Sequence, residues 1–241
     1  MSAETGVINQ AIILAGGLGS RLKSVVSDRP KPMALVAGRP FLAYQIEYLI
    51  AQGVQRVVLS VGYKKEQIIR HFAQHYSGIE IAYGVEENPM GTGGGLLLAL
   101  QQSDQDEAVL VVNGDTWFPL DIAPMMHLHQ KKQADVTLAL RKGAGEGRYG
   151  GIDLDGFQRI VNFSSQGERG DYINGGAYLV SPACQRRWLA QGVRKCSLET
   201  DLLERGISEG LHCFGFPSDA AFIDIGLPAD YARAANVINP K

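Results

Sequence analysis

Ala11-Ile12-Ile13-Leu14-Ala15-Gly16-Gly17-Leu18-Gly19-Ser20-Arg21 joins a short apolar, β-branched run directly to a loop with three glycines and a closing arginine. The run predicts a strand over residues 11–14. In the loop, missing side chains let backbone N–H groups approach phosphate oxygens, and Arg21 adds charge to that cradle. An ordinary tight turn has the same composition, so the neighbouring residues must decide. The dinucleotide spacing G-x-G-x-x-G would begin at Gly17 but meets Leu22 where its last glycine belongs, and no G-x-x-x-x-G-K-[ST] occurs. Both of those phosphate-binding readings lose ground.

Outward from this loop, further β-branched runs at residues 56–61, 79–83, 108–112 and 135–140 alternate with segments of helical period at 40–53, 64–76 and 92–102. That alternation predicts βαβ units, hence an α/β fold with a mainly parallel sheet. The 64–76 helix reads as a polar surface helix and the 92–102 helix as apolar and buried. Beyond residue 141 the pattern changes to strands at 150–154, 158–163 and 175–180, then helices near 182–190, 198–208 and 228–237. No linker, repeat or low-complexity tract divides the chain. The expectation is one domain over residues 1–241, with a nucleotide-binding half to about 141 and a substrate-binding half from about 142.

Several function classes are disfavoured. The net charge of −2 comes from 23 basic and 25 acidic residues mixed along the chain, so neither nucleic acid nor an anionic membrane is an expected partner. An anionic ligand must be held by local groups. Three widely spaced cysteines, Cys184, Cys196 and Cys213, form neither a disulfide framework nor a C-x-x-C pair, which favours a reducing cytoplasm. No apolar run approaches the roughly 18 residues of a membrane span, and residues 1–10 lack the character of a leader. His71 and His75 fall four apart in the 64–76 helix, where a solvated face is the simpler reading than a metal site; His127 and His129 are read the same way.

Other segments carry chemistry. In Arg29-Pro30-Lys31-Pro32-Met33, two prolines restrict the direction of Lys31 and supply a second cation near the glycine loop. Val111-Val112-Asn113-Gly114-Asp115 ends an apolar strand on a carboxylate, which makes Asp115 a candidate Mg²⁺ ligand, although Asn-Gly-Asp also serves plain turns. Phe222-Ile223-Asp224-Ile225-Gly226 sets Asp224 between apolar residues, where a lone charge is costly unless exposed or paired. Mg²⁺ favours one or two carboxylates plus phosphate oxygens. Glu86-Glu87-Asn88-Pro89-Met90-Gly91-Thr92-Gly93-Gly94-Gly95 offers polar groups and bare backbone against which a planar base can lie, or glycines for close helix packing.

Taken together, residues 14–22 and 30–33 resemble the signature of the sugar-1-phosphate nucleotidylyltransferases. The likeness extends from Ala11 to about Ala235 and is greatest toward bacterial D-glycero-α-D-manno-heptose 1-phosphate guanylyltransferases. It implies a Rossmann-like mixed sheet with helices on both faces, and transfer of GMP from GTP to a sugar 1-phosphate with release of pyrophosphate. It also implies Arg21 and Lys31 as catalytic cations, and Mg²⁺ held by Asp115 and Asp224. Nucleotide contacts would come from Leu14, Ala15, Gly16, Gly17, Gly19, Ser20, Glu86, Gly91, Thr92 and Gly93. The sugar phosphate would meet Gly114, Tyr149, Gly150, Asn174 and Glu199. The product serves cell-surface polysaccharide synthesis in such enzymes, and a homo-oligomer is compatible with the likeness. One departure stands out: the family's Phe-x-Glu-Lys is Phe163-Ser164-Ser165-Gln166 here, which removes a cation, so that either Arg169 or Arg148 replaces it or sugar-phosphate binding is weaker.

Overall fold

Ala11, Ile12 and Ile13 are fully buried because their strand, β1 (Gln10–Leu14), has a parallel neighbour on each side in the main sheet and helices packed over both faces. The computed structural model describes residues 7–17, 19–22, 24–143, 151–164 and 170–238. After β1 come 3₁₀ turns at Ser20–Leu22 and Lys31–Met33, a small hairpin of β2 (Leu35–Val36) and β3 (Arg39–Pro40), and α1 (Phe41–Ala51). Then follow β4 (Arg56–Val61), α2 (Lys65–Phe72), β5 (His75–Tyr76), β6 (Ile79–Val85), α3 (Gly91–Leu100) and β7 (Val109–Asn113). Next are β8 (Thr116–Trp117), α4 (Ile122–Lys131), β9 (Val136–Lys142), β10 (Gly151–Leu154), β11 (Ile160–Phe163), β12 (Tyr172–Val180) and α5 (Pro182–Leu189). A π-helical turn over Leu198–Glu204 runs into α6 (Arg205–Ser208), and β13 (Cys213–Pro217), β14 (Ile223–Asp224) and α7 (Pro228–Ile238) finish the chain.

The main sheet has the order β11-β10-β12-β7-β1-β4-β6-β5, with β9 pairing β12 and β13. Strands β7, β1, β4 and β6 are parallel, and β12 lies antiparallel to β7. Period-two alternation sends neighbouring side chains to opposite faces. Ala11, Ile13, Val57 and Leu59 pack with Leu42, Ile46 and Leu49 of α1, Ile68 and Phe72 of α2, and Met125 of α4. Ile12, Val58, Val109 and Val111 pack with Leu96, Leu97 and Leu100 of α3 and with Cys184 and Trp188 of α5. Each fully buried aliphatic side chain contributes about 1.5–3 kcal/mol, so both faces of the sheet must be covered. A third cluster joins Leu22, Phe41, Tyr44, Ile223, Ile225, Ala234 and Ile238, docking α7 and β14 beside the loop after β1. Among the described residues, no helix is long and apolar enough to cross a membrane.

The mixed, mainly parallel sheet with helices on both faces is the expected fold. Local expectations fail in several places. Helix α2 stops at Phe72 rather than running to 76, because Ala73, Ser77 and Gly78 have positive φ and turn the chain back as β5 against β6. His71 and His75 therefore share no helical face. Helix α4, capped by the Asp121 carboxylate accepting from the Ala123 N–H at 3.1 Å, and strand β13, parallel to β9, are absent from the sequence reading. Strand β12 begins at Tyr172 rather than 175.

His129 is a further correction. It is not on a solvated face but 4% exposed on α4, with Nδ1 2.9 Å from Thr137 Oγ1. Burial lowers its pKa from the ordinary 6.5 to about 4, while the Asp135 charge pulls the other way. The unfolded chain takes up the proton first on acidification, so this stability is present above pH 6.5 and is lost as pH falls toward 4. The loss is about 3 kcal/mol at roughly 1.4 kcal/mol per pH unit of displacement. Urea melts of the protein and of His129→Gln at pH 7 and pH 4.5 check this: the variant should show the smaller difference between the two pH values. Equal differences would remove His129 as the cause.

Candidate active site

Four parallel strands end at one edge, and hydrogen bonds hold their loops side by side. Ala15 N–H donates to Ser60 O at 2.8 Å, Gly114 N–H to Leu14 O at 3.0 Å and Glu86 N–H to Val61 O at 2.8 Å. From β1 the chain runs to β4 and β6 on one side and returns to β7 on the other, so the loops diverge at that switch point, where open sheets bind ligands. The resulting cavity, about 390 Å³, is lined by Leu14, Gly16, Gly17, Gly19, Ser60, Glu86, Pro89, Gly91, Thr92, Gly95, Asn113 and Asp115.

Glu86 stands at one side of this cavity. A Cβ on Gly16 would clash with Glu86 Oε1, and one on Gly95 would meet it at 2.7 Å, so two bare backbone positions cradle the carboxylate. The Met90 N–H donates to Oε2 at 2.9 Å. Burial raises the Glu86 pKa above the usual carboxylate value, and the Met90 N–H partly offsets it. Gly91 and Thr92 line the cavity, whereas Gly93 is buried and gives its N–H to Cys196 O at 3.0 Å. Gly93 thus packs α3 onto the 196–197 segment.

The charged groups gather next to Asp115. Strand β14 pairs antiparallel with β8, aligning Asp224 with Thr116, and Ile225 N–H donates to Asp115 O at 2.9 Å. Two distant carboxylates become neighbours in this way. The Lys31 ammonium lies between them, 2.5 Å from Asp115 Oδ2 and 3.7 Å from Asp224 Oδ1. Side-chain exposure is 9% for Lys31 and Asp224 and 34% for Asp115. Asp224 Oδ1 also accepts from Gly226 N–H at 2.6 Å. Gly226 is where the cluster closes: a Cβ there would lie 2.6 Å from Lys31 Nζ and 3.3 Å from Arg21 Nη2. Both expected cations and both expected metal carboxylates therefore converge. Among the described residues no group of three or more His, Cys, Asp or Glu forms a complete metal cage. Two carboxylates sharing one cation suit an ion that takes its remaining ligands from phosphate and water, as Mg²⁺ does.

On the other side of Thr92, Glu199 accepts from Thr92 Oγ1 at 2.8 Å and Ser197 Oγ at 2.9 Å. Asn174 uses both ends of its amide internally, donating to Tyr178 OH at 2.8 Å and accepting from Gly176 N–H at 3.0 Å. This bond set spans the register shift in β12 between Asn174 and Tyr178. Burial raises the Tyr178 pKa, and the charges of Glu199 and Asp115 add to it, so the phenol lies within electrostatic reach of both carboxylates. Tyr149, Gly150, Arg148, Ser165, Gln166, Arg169 and the side chain of Ser20 lie outside the described residues. Ser60 and Asn113 line the cavity without having been read as site residues. A polar residue near the carboxyl end of an otherwise apolar strand was the available signal for both.

The sequence matches the profile of the nucleotidyl transferase family over residues 10–240. The chain belongs to that family. Among its relatives is the D-glycero-alpha-D-manno-heptose 1-phosphate guanylyltransferase of Aneurinibacillus thermoaerophilus, 43% identical over 229 residues, covering 93% of this chain and 96% of that protein. The enzyme of the same name from Campylobacter jejuni is 38% identical, covering 92% and 96%. Among solved structures, HddC from Yersinia pseudotuberculosis matches with a TM-score of 0.82 and 33% identity, over 96% of this chain and 100% of that one. Its complex with GMP-PN matches with a TM-score of 0.81. These family members span nearly the whole chain, so the whole fold is available for comparison.

Proposed function

We propose that this nucleotidyl transferase moves GMP from GTP to D-glycero-α-D-manno-heptose 1-phosphate, releasing pyrophosphate and giving the GDP-heptose used in cell-surface polysaccharide synthesis. The observation that carries the reading is the convergence of Arg21, Lys31, Asp115 and Asp224 beside the cavity at the ends of the parallel strands. Similarity to the two heptose 1-phosphate guanylyltransferases supports the choice of base and sugar. The residues before 142 chiefly serve the nucleotide and those after it chiefly the sugar, with Gly114 and Asp224 serving across that division, and the pairing of β12 with β7 joins both halves in one unit. Three buried free thiols support a reducing cytoplasm as the setting.

No protein nucleophile is required. The sugar phosphate oxygen is anionic near neutral pH and attacks the α-phosphorus of GTP, while the bond from that phosphorus to the bridging oxygen breaks and pyrophosphate leaves. Catalysis is positioning and charge stabilisation. Arg21 and Lys31 neutralise the triphosphate and the charge that grows on the leaving group. Asp115 and Asp224 would hold Mg²⁺, which when bound supplies Lewis-acid stabilisation of phosphoryl oxygens. Leu14, Ala15, Gly16, Gly17, Gly19 and Ser20 shape the nucleotide side, and Gly114, Asn174 and Glu199 the sugar side.

Glu86 supports guanine chemically. Guanine presents two adjacent donors, N1–H and N2–H₂, and an ionised carboxylate only accepts. A charge-assisted bond of about 1.5–3 kcal/mol makes a tenfold or greater loss in kcat/KM for GTP the expected result of Glu86→Gln. Because bound guanine favours the ionised carboxylate, GTP affinity should weaken as pH falls through the raised Glu86 pKa, and the variant should lack this component. An unchanged GTP:ATP preference in Glu86→Gln would place the base elsewhere. The test of the whole reading is a matrix of nucleoside triphosphates against sugar 1-phosphates with pyrophosphate release as readout. GTP with the heptose 1-phosphate should give the highest kcat/KM; a preference for another pair overturns the assignment.

A further inference from the structure

Gln45 is 3% exposed on α1, on a stretch otherwise buried as Phe41, Leu42, Ala43, Tyr44 and Ile46. A buried amide is costly unless it is hydrogen-bonded. Its Nε2 donates to Asn113 O at 2.8 Å and to Thr116 O at 2.9 Å. Those carbonyls flank Gly114 and Asp115, so one side chain clamps both ends of the turn that carries the carboxylate. The acceptors also settle which end of the amide faces the turn, since the reverse orientation would set three carbonyl oxygens together. We propose that Gln45 is a positioning residue that sets Asp115 for metal binding. This rests on the metal role given to Asp115 above.

The other restraints on the turn come from different directions: Gly114 N–H bonds to Leu14 O and Asp115 O accepts from Ile225 N–H. Gln45 is the anchor from α1. That helix is tied to the Lys31 turn, because Phe41 N–H donates to Ala34 O at 2.9 Å and Ala34 N–H donates to Lys31 O at 3.0 Å. One helix thus references both partners of the Lys31–Asp115 contact to the same frame. A displacement of about 1 Å in a reacting group can cost roughly a hundredfold in rate, and two buried hydrogen bonds from one rigid element oppose such a displacement. Gln45 does not itself line the cavity and acts through the backbone of the turn that carries Asp115.

The test uses Gln45→Met, which keeps length and apolar packing but removes both donors. Mn²⁺ binding is titrated by electron paramagnetic resonance in the presence of a non-hydrolysable GTP analogue, alongside kcat, metal-free GTP affinity and thermal midpoint. Mn²⁺ affinity and kcat should each fall about tenfold or more, the usual range for a residue supporting a metal ligand, with metal-free GTP affinity unchanged within about twofold. Tyr48→Phe is the control: it removes another α1 bond, from Tyr48 OH to Leu120 O at 2.6 Å, and should leave Mn²⁺ affinity unchanged. If Gln45→Met does not fold, Gln45→Asn, which keeps the amide but shortens its reach, must show the same split. Native Mn²⁺ affinity in the folded Gln45 variant, or an equal loss in Tyr48→Phe, overturns the proposal. Native Mn²⁺ affinity in Asp115→Asn instead overturns the metal assignment beneath it.

Discussion

Asp224→Asn and Asp115→Asn should each lower Mg²⁺-dependent turnover by roughly 10²- to 10³-fold, the scale on which a preorganised electrostatic group acts at a transition state, while leaving the fold intact. The asparagine at 224 keeps the shape of the side chain and an oxygen able to accept from Gly226 N–H, the 2.6 Å bond of the native protein. What it removes is one of the two negative charges that flank the Lys31 ammonium. Metal-dependent turnover is the proper readout, with pyrophosphate release followed across Mg²⁺ concentrations and circular dichroism recorded in parallel. Part of the loss should be recovered at high Mg²⁺, because the remaining carboxylate and the phosphates still provide oxygens. Full activity at limiting Mg²⁺ in either variant would remove that residue from the metal site.

Lys31→Met should have two opposite effects. Turnover should drop by about 10²- to 10³-fold for the loss of a cation that meets growing charge. Mg²⁺ affinity without nucleotide should rise instead, because the ammonium now between Asp115 and Asp224 competes for the same carboxylates. At an effective dielectric near 20, unit charges about 4 Å apart interact by about 4 kcal/mol. Partial solvation of Asp115, 34% exposed, discounts that, so about tenfold tighter binding is the modest expectation. Two carboxylates left without the ammonium between them should also destabilise the metal-free variant. The cost falls below the roughly 3–5 kcal/mol of breaking a fully buried pair. Added Mg²⁺ should then raise the melting temperature of the variant more than that of the parent. Calorimetric titration and thermal melts with and without Mg²⁺ check both effects; unchanged nucleotide-free affinity would show that Lys31 and the metal do not share those carboxylates.

The parallel half of the fold was legible because its signals are local. The run at 56–61 matches β4, and the 108–112 run lies one residue from β7. Helix α4 was not legible, as Pro124 interrupts its period and His129 is an ionisable residue on a buried face. Strand β13 is five residues, including Gly215 and Pro217, and only the edge offered by β9 makes it a strand. The end of α2 was hidden for a related reason: residues 73–78 have no strong breaker until Gly78, and the pairing of β5 with β6 decides the turn.

The glycine loop after β1, the two cations that follow it and the carboxylates at strand ends are legible from short stretches of chain, because backbone approach, charge and apolar periodicity are properties of a few neighbouring residues. Tertiary structure alone decided that these groups meet. Asp115 and Asp224 are over a hundred residues apart, and they become neighbours through the two-residue pairing of β8 with β14 and the apolar cluster that docks α7. It also turned Gly93 from an open backbone position into a packing contact and placed the amide of Gln45 on the turn that carries Asp115. The physical reason is one of range: propensity and charge act within a turn or two of chain, whereas the position of a buried group is set by whatever packs and hydrogen-bonds against it from elsewhere in the fold.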